Sequence, residues 1–498
     1  MPRIWDLNKA AVCVLLLLCT GITLAPPSFS GKLLVIPMDG SHWVAIKALA
    51  QAMGRRGHKV TVVIPEVNIR MGPGKHYDTV TFPVPYDKAS LNIIGTNKHL
   101  MEKSSESFIQ DMRKRFAHMQ RIADFLHTTA ESLLFNATLI SHLAEQGFDA
   151  VLTDPMVPTG TLMARKLGLP SINLLRGIPC LMDMKAAGCP SPPSYVPRFF
   201  TGFTDKMNFM ERTINTLVRF SYSYRYVILC LNRYDFTMEV PRPLMPNIIL
   251  VGGINCNVRN PLPEDLESWV SGEHGFVVFT LGSMVSDMPV KRASVFLEAF
   301  RQIPQKVIWR YTGQIPDSVP DNVRIMEWVP QNDLLAHPGA RAFITHGGSH
   351  GLFEGLCHAV PMVMVPLTAD QPDNAQKMAS KGVGVVLDIM SITTEGLLQG
   401  LNAIINDTRY KERVQKLSAV HKDRPIDPLQ LSVYWTEFVM RHKGAQHLRA
   451  AVLELNWIQY FCLDVIALLA TVLLVFVILT VKCFKVCLRK LGRKRKQE

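Results

Sequence analysis

The sequence predicts an α/β protein of two Rossmann-like, doubly wound halves that face a cleft, plus one C-terminal transmembrane helix. Three observations predict it. Apolar strands alternate with helical stretches from Lys32 onward, as in parallel sheets covered on both faces. The alternation lapses around Pro261 to Pro263 and restarts at "EHGFVVFTLGSM"; 498 residues also exceed what one core serves. Last, residues 461–481 carry a single charge, Asp464, over a length that can cross a bilayer.

Taken in order, residues 1–30 combine a basic start, an apolar run and small residues near Ser28 to Gly31, which is the pattern of a secretory signal peptide. The first half, residues 31–250, opens with "KLLVIPMDGSHWVAIKALAQAMGRRGHKVTVVIP": strand, Gly-Ser turn, helix from about Val44, strand. Arg70 to Tyr86 shows little period and reads as loop. Lys98 to Gln120 reads as a polar helix that continues toward Leu143. "FDAVLTDPMVP" and "LGLPSINLL" add strands. The second half, residues 251–440, repeats the pattern in "VVFTLGSM", "KVIWRYTG", "VRIMEWVP", "RAFITHGG", "VPMVMVPL" and "GVGVVLDI". Neither half carries a G-x-G-x-x-G dinucleotide fingerprint.

Residues 441–460 lead into the span, and residues 482–498 form a strongly basic tail. The positive-inside rule makes that tail cytosolic and the body lumenal, a single-pass type I arrangement. The tail holds much of the formal +13 charge, so the body is only mildly basic and a nucleic-acid partner is not expected. Lys494 and Lys496 have the spacing of a dilysine signal for retrieval to the endoplasmic reticulum; a plain polybasic juxtamembrane segment is the alternative. Cys180, Cys189, Cys230, Cys256 and Cys357 are an odd set without metal-ligand spacing. Cys180 with Cys189 could close a short loop, or these stay thiols. Asn136 and Asn406 head glycosylation sequons.

Every chemically suggestive motif sits at a strand's end, where ligands bind in such sheets. "MDGSHW" places His42 there, with a titration range suited to a general base. "LTDP" places Asp154 at another strand end, either to hold that imidazole or to cap a turn before Pro155. In the second half, Ser283 can offer a hydroxyl to a phosphate. Thr345, His346, Gly347, Gly348, Ser349 and His350 form a glycine turn into a helix N-terminus, which favours anions. Glu354 suits ribose hydroxyls, Asp370 and Gln371 a sugar, Trp328 a flat base and Gln331 its edge. In this order they describe a nucleotide-sugar site.

"WVPQNDLLAHPGARAFITHGGSHGLFEGLCHAVPMVMVPLTADQPDN" strongly resembles the signature of UDP-glycosyltransferases. "DGSHW", "TDP", "PRPLMPN", "VVFTLGSM" and "HKDRPIDPLQLSVYWTEFVMRHKGAQHLR" extend the resemblance over nearly the whole chain. Among these enzymes it looks most like vertebrate UDP-glucuronosyltransferases of the bilirubin- and phenol-conjugating branch. The resemblance implies a GT-B fold, with a lipophilic acceptor in residues 31–250 and UDP-glucuronate, the co-substrate, in residues 251–440. It implies His42 as base and Asp154 as its orienting acid, inversion to a β-glucuronide, and no metal or redox cofactor. It assigns Trp328, Gln331 and Glu354 to uracil and ribose, and Ser283, Thr345, His346 and the Gly347 to His350 turn to the diphosphate. Asp370 and Gln371 meet the sugar, and Arg233 its carboxylate. It also implies homo- or hetero-dimers with related enzymes, and the helix "LSVYWTEFVMRH" packing back across both halves. One departure stands out: before Arg233, "VRFSYSYRYVILCLNR" is shorter than the family's passage by roughly a helix. That shortening opens a second reading, a weakly active or inactive chain that binds donor or pairs with active relatives. A third is transfer of glucose or galactose, against which Arg233 argues.

Overall fold

The computed structural model describes residues 29–95, 101, 108–174, 189–198, 201–225, 236–256, 259–316 and 318–494. The signal-peptide segment up to residue 28, Arg233, Cys180, Cys230 and Lys496 lie outside them.

Two parallel sheets form the body, as the sequence predicts. The first holds β1 (Lys32–Ile36), β2 (Lys59–Pro65), β3 (Asp78–Phe82), β4 (Ala150–Thr153) and β5 (Ser171–Asn173), in the order β3-β2-β1-β4-β5. The second holds β6 (Phe276–Thr280), β7 (Lys306–Arg310), β8 (Val323–Met326), β9 (Ala340–Thr345), β10 (Met362–Met364) and β11 (Gly384–Val386), in the order β11-β10-β9-β6-β7-β8. The strands are apolar on both faces because both faces are covered. In β1, Leu33 and Val35 enter one core while Leu34 and Ile36 enter the opposite one. In β6, Val277 and Phe279 face one core, and Phe276 and Val278 the other. Phe279 stacks between Phe296 at 4.7 Å and Trp309 at 5.1 Å, ring centre to ring centre.

β3 corrects the sequence reading, which took Arg70 to Tyr86 for loop. It is an edge strand of sequence DTVTF with only Phe82 fully buried, so it lacks the continuous apolar run that marks a central strand. The long polar helix is also two helices, Phe108–Leu134 and Ala137–Glu145, broken where the Asn136 side chain accepts the Leu139 N–H at 3.0 Å.

Four helices frame the sites. α1 (Trp43–Arg55) follows β1, α2 (Ser349–Cys357) follows β9, and α3 (Gln371–Ser380) follows β10. α4 (Pro428–His442) returns from the second half to pack on α1. Its Val433 and Met440 complete the core that holds Leu33, Trp43 and Ile46. Its Glu437 carboxylate accepts hydrogen bonds from Arg56 Nε at 2.6 Å and His58 Nε2 at 3.0 Å. His58 Nδ1 accepts the Gly31 N–H, which leaves Nε2 as the donor.

Cys256 and Cys357 form a disulfide across a sequence separation of 101, a pairing the spacing did not suggest. It ties the segment before the second sheet to the last residue of α2.

A separate compact unit holds Met184–Pro190, Pro243–Ile248 and Gln446–Glu498. Its main element is α5 (Leu463–Lys494). Over Leu463–Val486 the mean hydropathy is 2.8, and among the described residues this is the one helix long and apolar enough to cross a membrane.

Candidate active site

β1 and β4 are neighbours, with Ile36 paired to Thr153, so the turns that follow them meet. His42 Nδ1 lies 2.7 Å from Asp154 Oδ2. Asp154 is only 1% exposed, and its second oxygen accepts the Met156 N–H at 2.9 Å. One carboxylate therefore serves both uses read in the sequence, turn cap and imidazole partner. Burial without such partners would carry a heavy desolvation cost. With Nδ1–H donated to Asp154, Nε2 keeps its lone pair and can accept a proton.

Asp39, in the same turn, was not singled out from sequence. Its carboxylate accepts the N–H groups of Gly40 at 2.5 Å, Ile69 at 2.5 Å and Arg70 at 3.0 Å. It thereby fastens the loop after β2 to the turn that carries His42.

On the second sheet, the expected residues line its C-terminal edge in strand order. Trp328 follows β8, Ser283 follows β6, Thr345 ends β9 with His346 to His350 beyond it, and Asp370 and Gln371 follow β10. Ser283 Oγ is buried without a hydrogen-bond partner. Gly347 has φ +81°, and a Cβ there would stand 3.0 Å from the Gln371 carbonyl, so only glycine makes this turn comfortably. The His346 ring is wedged between Gly282 and Gly348, where a Cβ would come within 2.4 and 2.6 Å of it. Gly348 precedes α2 in an extended conformation and offers no side-chain cap, so the glycine turn runs straight into the N-terminus of α2, where the helix dipole favours negative charge.

Gln331 and Glu354 are drawn together. Thr280 donates its hydroxyl to Gln331 Oε1, and Gln331 Nε2 donates to Glu354 Oε2 at 2.5 Å. Gln371 turns its carbonyl oxygen onto the N–H groups of Leu367 and Thr368, at 2.8 and 3.0 Å. Asn374, missed from sequence, donates to Asp370 Oδ2 at 2.8 Å and to the Gly347 carbonyl at 3.3 Å. It couples the expected sugar-side and phosphate-side turns.

His350 reaches across to the first sheet. Its Nδ1 accepts from Asn255 Nδ2 at 2.7 Å, and its Nε2–H points to the Ser41 carbonyl at 3.1 Å. The turn after β9 and the turn that carries His42 are thus in direct contact. Two arginines were also missed: Arg70, after β2, and Arg310, at the end of β7, whose guanidinium carbons lie 4.8 and 5.2 Å from the centre of the Trp328 ring. No motif marked either one.

Cys256, Cys357 and His421 bring their ligand atoms within 4.8 Å of one another, but the two sulfurs are spent on their disulfide. They line a cavity of about 540 Å³ with His358, Lys422 and Arg424. None of the cleft residues above borders it.

Two parallel sheets with facing strand ends, one bearing a His–Asp pair and the other a glycine turn into a helix N-terminus, define a GT-B glycosyltransferase fold. Solved structures share it. UDP-glucose: anthocyanidin 3-O-glucosyltransferase matches with a TM-score of 0.56 at 15% identity, over 83% of this chain and all of that one. The spinosyn forosaminyltransferase SpnP gives 0.53 at 19% identity, over 82% and 99%. The chain belongs to the family described as UDP-glucoronosyl and UDP-glucosyl transferase, whose model matches residues 31–234 and 223–498; it is an enzyme of the glycosyltransferase class. It is similar to UDP-glucuronosyltransferase 1A6 of Homo sapiens, 43% identical over 93% of this chain and 94% of the relative. It is also similar to UDP-glucuronosyltransferase 1A1 of Homo sapiens, 42% identical over 94% of each.

Proposed function

We propose that this enzyme transfers glucuronic acid from UDP-glucuronate to a hydroxyl, or another nucleophile, of small lipophilic acceptors, with inversion at the anomeric carbon. The 2.7 Å contact between His42 and the buried Asp154 carries the reading. His42 Nε2 takes the acceptor's proton while Asp154 stabilises the imidazolium that forms. The freed oxygen attacks the anomeric carbon from the face opposite UDP, the glycosidic bond to the diphosphate breaks, and a β-glucuronide results. Charge developing on the departing UDP falls to His346 and the N-terminus of α2. Trp328, Gln331 and Glu354 receive uridine, Ser283, Thr345 and the Gly347 to His350 turn the phosphates, and Asp370 with Gln371 the sugar. Arg233, outside the described residues, pairs with the glucuronate carboxyl. The names of the relatives support this donor, and the apolar α5 with its basic tail supports a type I anchor in the endoplasmic reticulum, catalytic halves in the lumen.

A second reading, a donor-binding chain of weak activity, has its own observation. The family match comes in two stretches that meet at residues 223–234. The alignment to the first relative runs over 502 positions, more than the 498 residues of this chain, so this chain lacks residues that the relative has. Glucuronide formation in detergent-permeabilised microsomes decides between them, with a simple phenol, UDP-glucuronate or UDP-glucose, and a His42→Ala variant alongside. Product from UDP-glucuronate in the parent and its loss in the variant support the transferase. Absence of product from a folded parent that binds UDP supports the second reading.

A further inference from the structure

Arg70 and Arg310 are two cations facing one indole. Arg310 is fixed: Nη1 donates to the carbonyls of Gly282 and Val285, the latter at 3.3 Å, and Nε to that of Glu327 at 3.2 Å. All three acceptors are neutral. Burial, and then the charge of Arg70, lower its pKa to about 10, so it stays protonated at neutral pH. Arg70 is held differently. Its loop hangs from Asp39, and its side chain leaves the first half to donate from Nη2 to the Ser283 carbonyl at 2.5 Å. Burial lowers the Arg70 pKa and the Asp39 charge opposes that shift, but the Asp39 oxygens are already taken by three backbone N–H groups. Among the described residues neither guanidinium has a carboxylate ion pair.

Two unneutralised guanidinium groups beside a buried, unpartnered Ser283 hydroxyl make a local field that is satisfied by an anion. Trp328 is 57% exposed, open to a stacking base, yet the Arg70 guanidinium rests against it. An exposed cation–π contact is a weak restraint beside charge-assisted hydrogen bonds to phosphate.

We propose that Arg70 is a further donor-binding residue, supplied from the acceptor half: on nucleotide entry its guanidinium leaves the Trp328 indole and binds the diphosphate beside Ser283. This rests on the donor-site reading above. Since Asp39 fastens the Arg70 loop to the turn bearing His42, the same movement places donor phosphate and base turn in one hydrogen-bonded frame.

The test compares UDP with uridine, which has the base and ribose but no phosphate, by calorimetric titration of the full-length protein in detergent. Arg70→Ala should weaken UDP tenfold or more and leave uridine unchanged or tighter, because the indole is freed. Arg70→Lys, which keeps the charge but not the fork, should recover part of the loss. Thermal melting equal to the parent's checks that each variant is folded. UDP affinity unchanged or improved in Arg70→Ala overturns the proposal, and so does an equal loss for UDP and uridine, which marks a structural role. A parent that binds neither compound removes the donor-site reading itself, and the proposal with it.

Discussion

His42 and Asp154 are 112 residues apart in sequence and 2.7 Å apart in the fold. Asp154→Asn keeps the shape but removes the charge that stabilises an imidazolium. Turnover is expected to fall about 10²–10⁴-fold, with UDP affinity unchanged, as read from product formation at saturating donor beside a UDP titration. Gly282 is a second telling residue, at φ +81° and 2.4 Å from the His346 ring once a Cβ is added. Gly282→Ala should lose about 1–2 kcal/mol of stability from backbone strain alone and weaken UDP as well; thermal unfolding and titration check both. At this scale the sequence was legible at His42, Thr345 and Gly347, which lie in or beside the glycine turns that join a strand to a helix. It was silent on Arg70, Arg310 and Asp39, because their partners are backbone atoms that no residue pattern marks. Nor could it show that the strands of His42 and Asp154 are adjacent. That follows from the crossover placing β4 beside β1, a property of the folded sheet.

Among the elements, α4 closes one core of the first sheet from far along the chain, with Val433 and Met440 beside Leu33 and Ile46. Glu437 is buried, which raises its pKa, but the hydrogen bonds from Arg56 and His58 outweigh this and leave it below its ordinary value of 4.5. A carboxylate depressed by folding contributes stability that is present above its unfolded pKa and lost as pH falls through the folded one. Stability should therefore fall below about pH 4.5, more in the parent than in Glu437→Gln. At neutral pH that variant should be less stable by about 1–3 kcal/mol, since Arg56 and His58 lose a charged acceptor; denaturant unfolding at the two pH values checks it. The disulfide closing the loop from Cys256 to Cys357 should contribute about 2–5 kcal/mol, measured as the shift in melting of Cys357→Ser. The central strands were legible as apolar runs. β3 was not, because half-exposed edge strands alternate too irregularly to be told from loop.

For the whole molecule, the two-sheet plan and the C-terminal apolar helix followed from the restart of the strand pattern and from hydropathy. The contact between the halves did not, since Ser41 with His350 and Arg70 with Ser283 are pairings at sequence separations of 309 and 213. Such pairings predict that UDP should protect both sheets together from proteolysis, not the second alone. A limited digestion with and without UDP reads this directly. The return of α4 also bears on how the chain is made. All five strands of the first sheet have been synthesised by Asn173, yet Val433 and Met440, which complete one of its cores, emerge from the ribosome far later. During that interval the nascent sheet presents an apolar face to the folding machinery of its compartment. A chain terminated before Pro428 would keep that face open permanently. Premature termination late in the message should thus yield a chain retained by chaperones and degraded, however complete its second sheet.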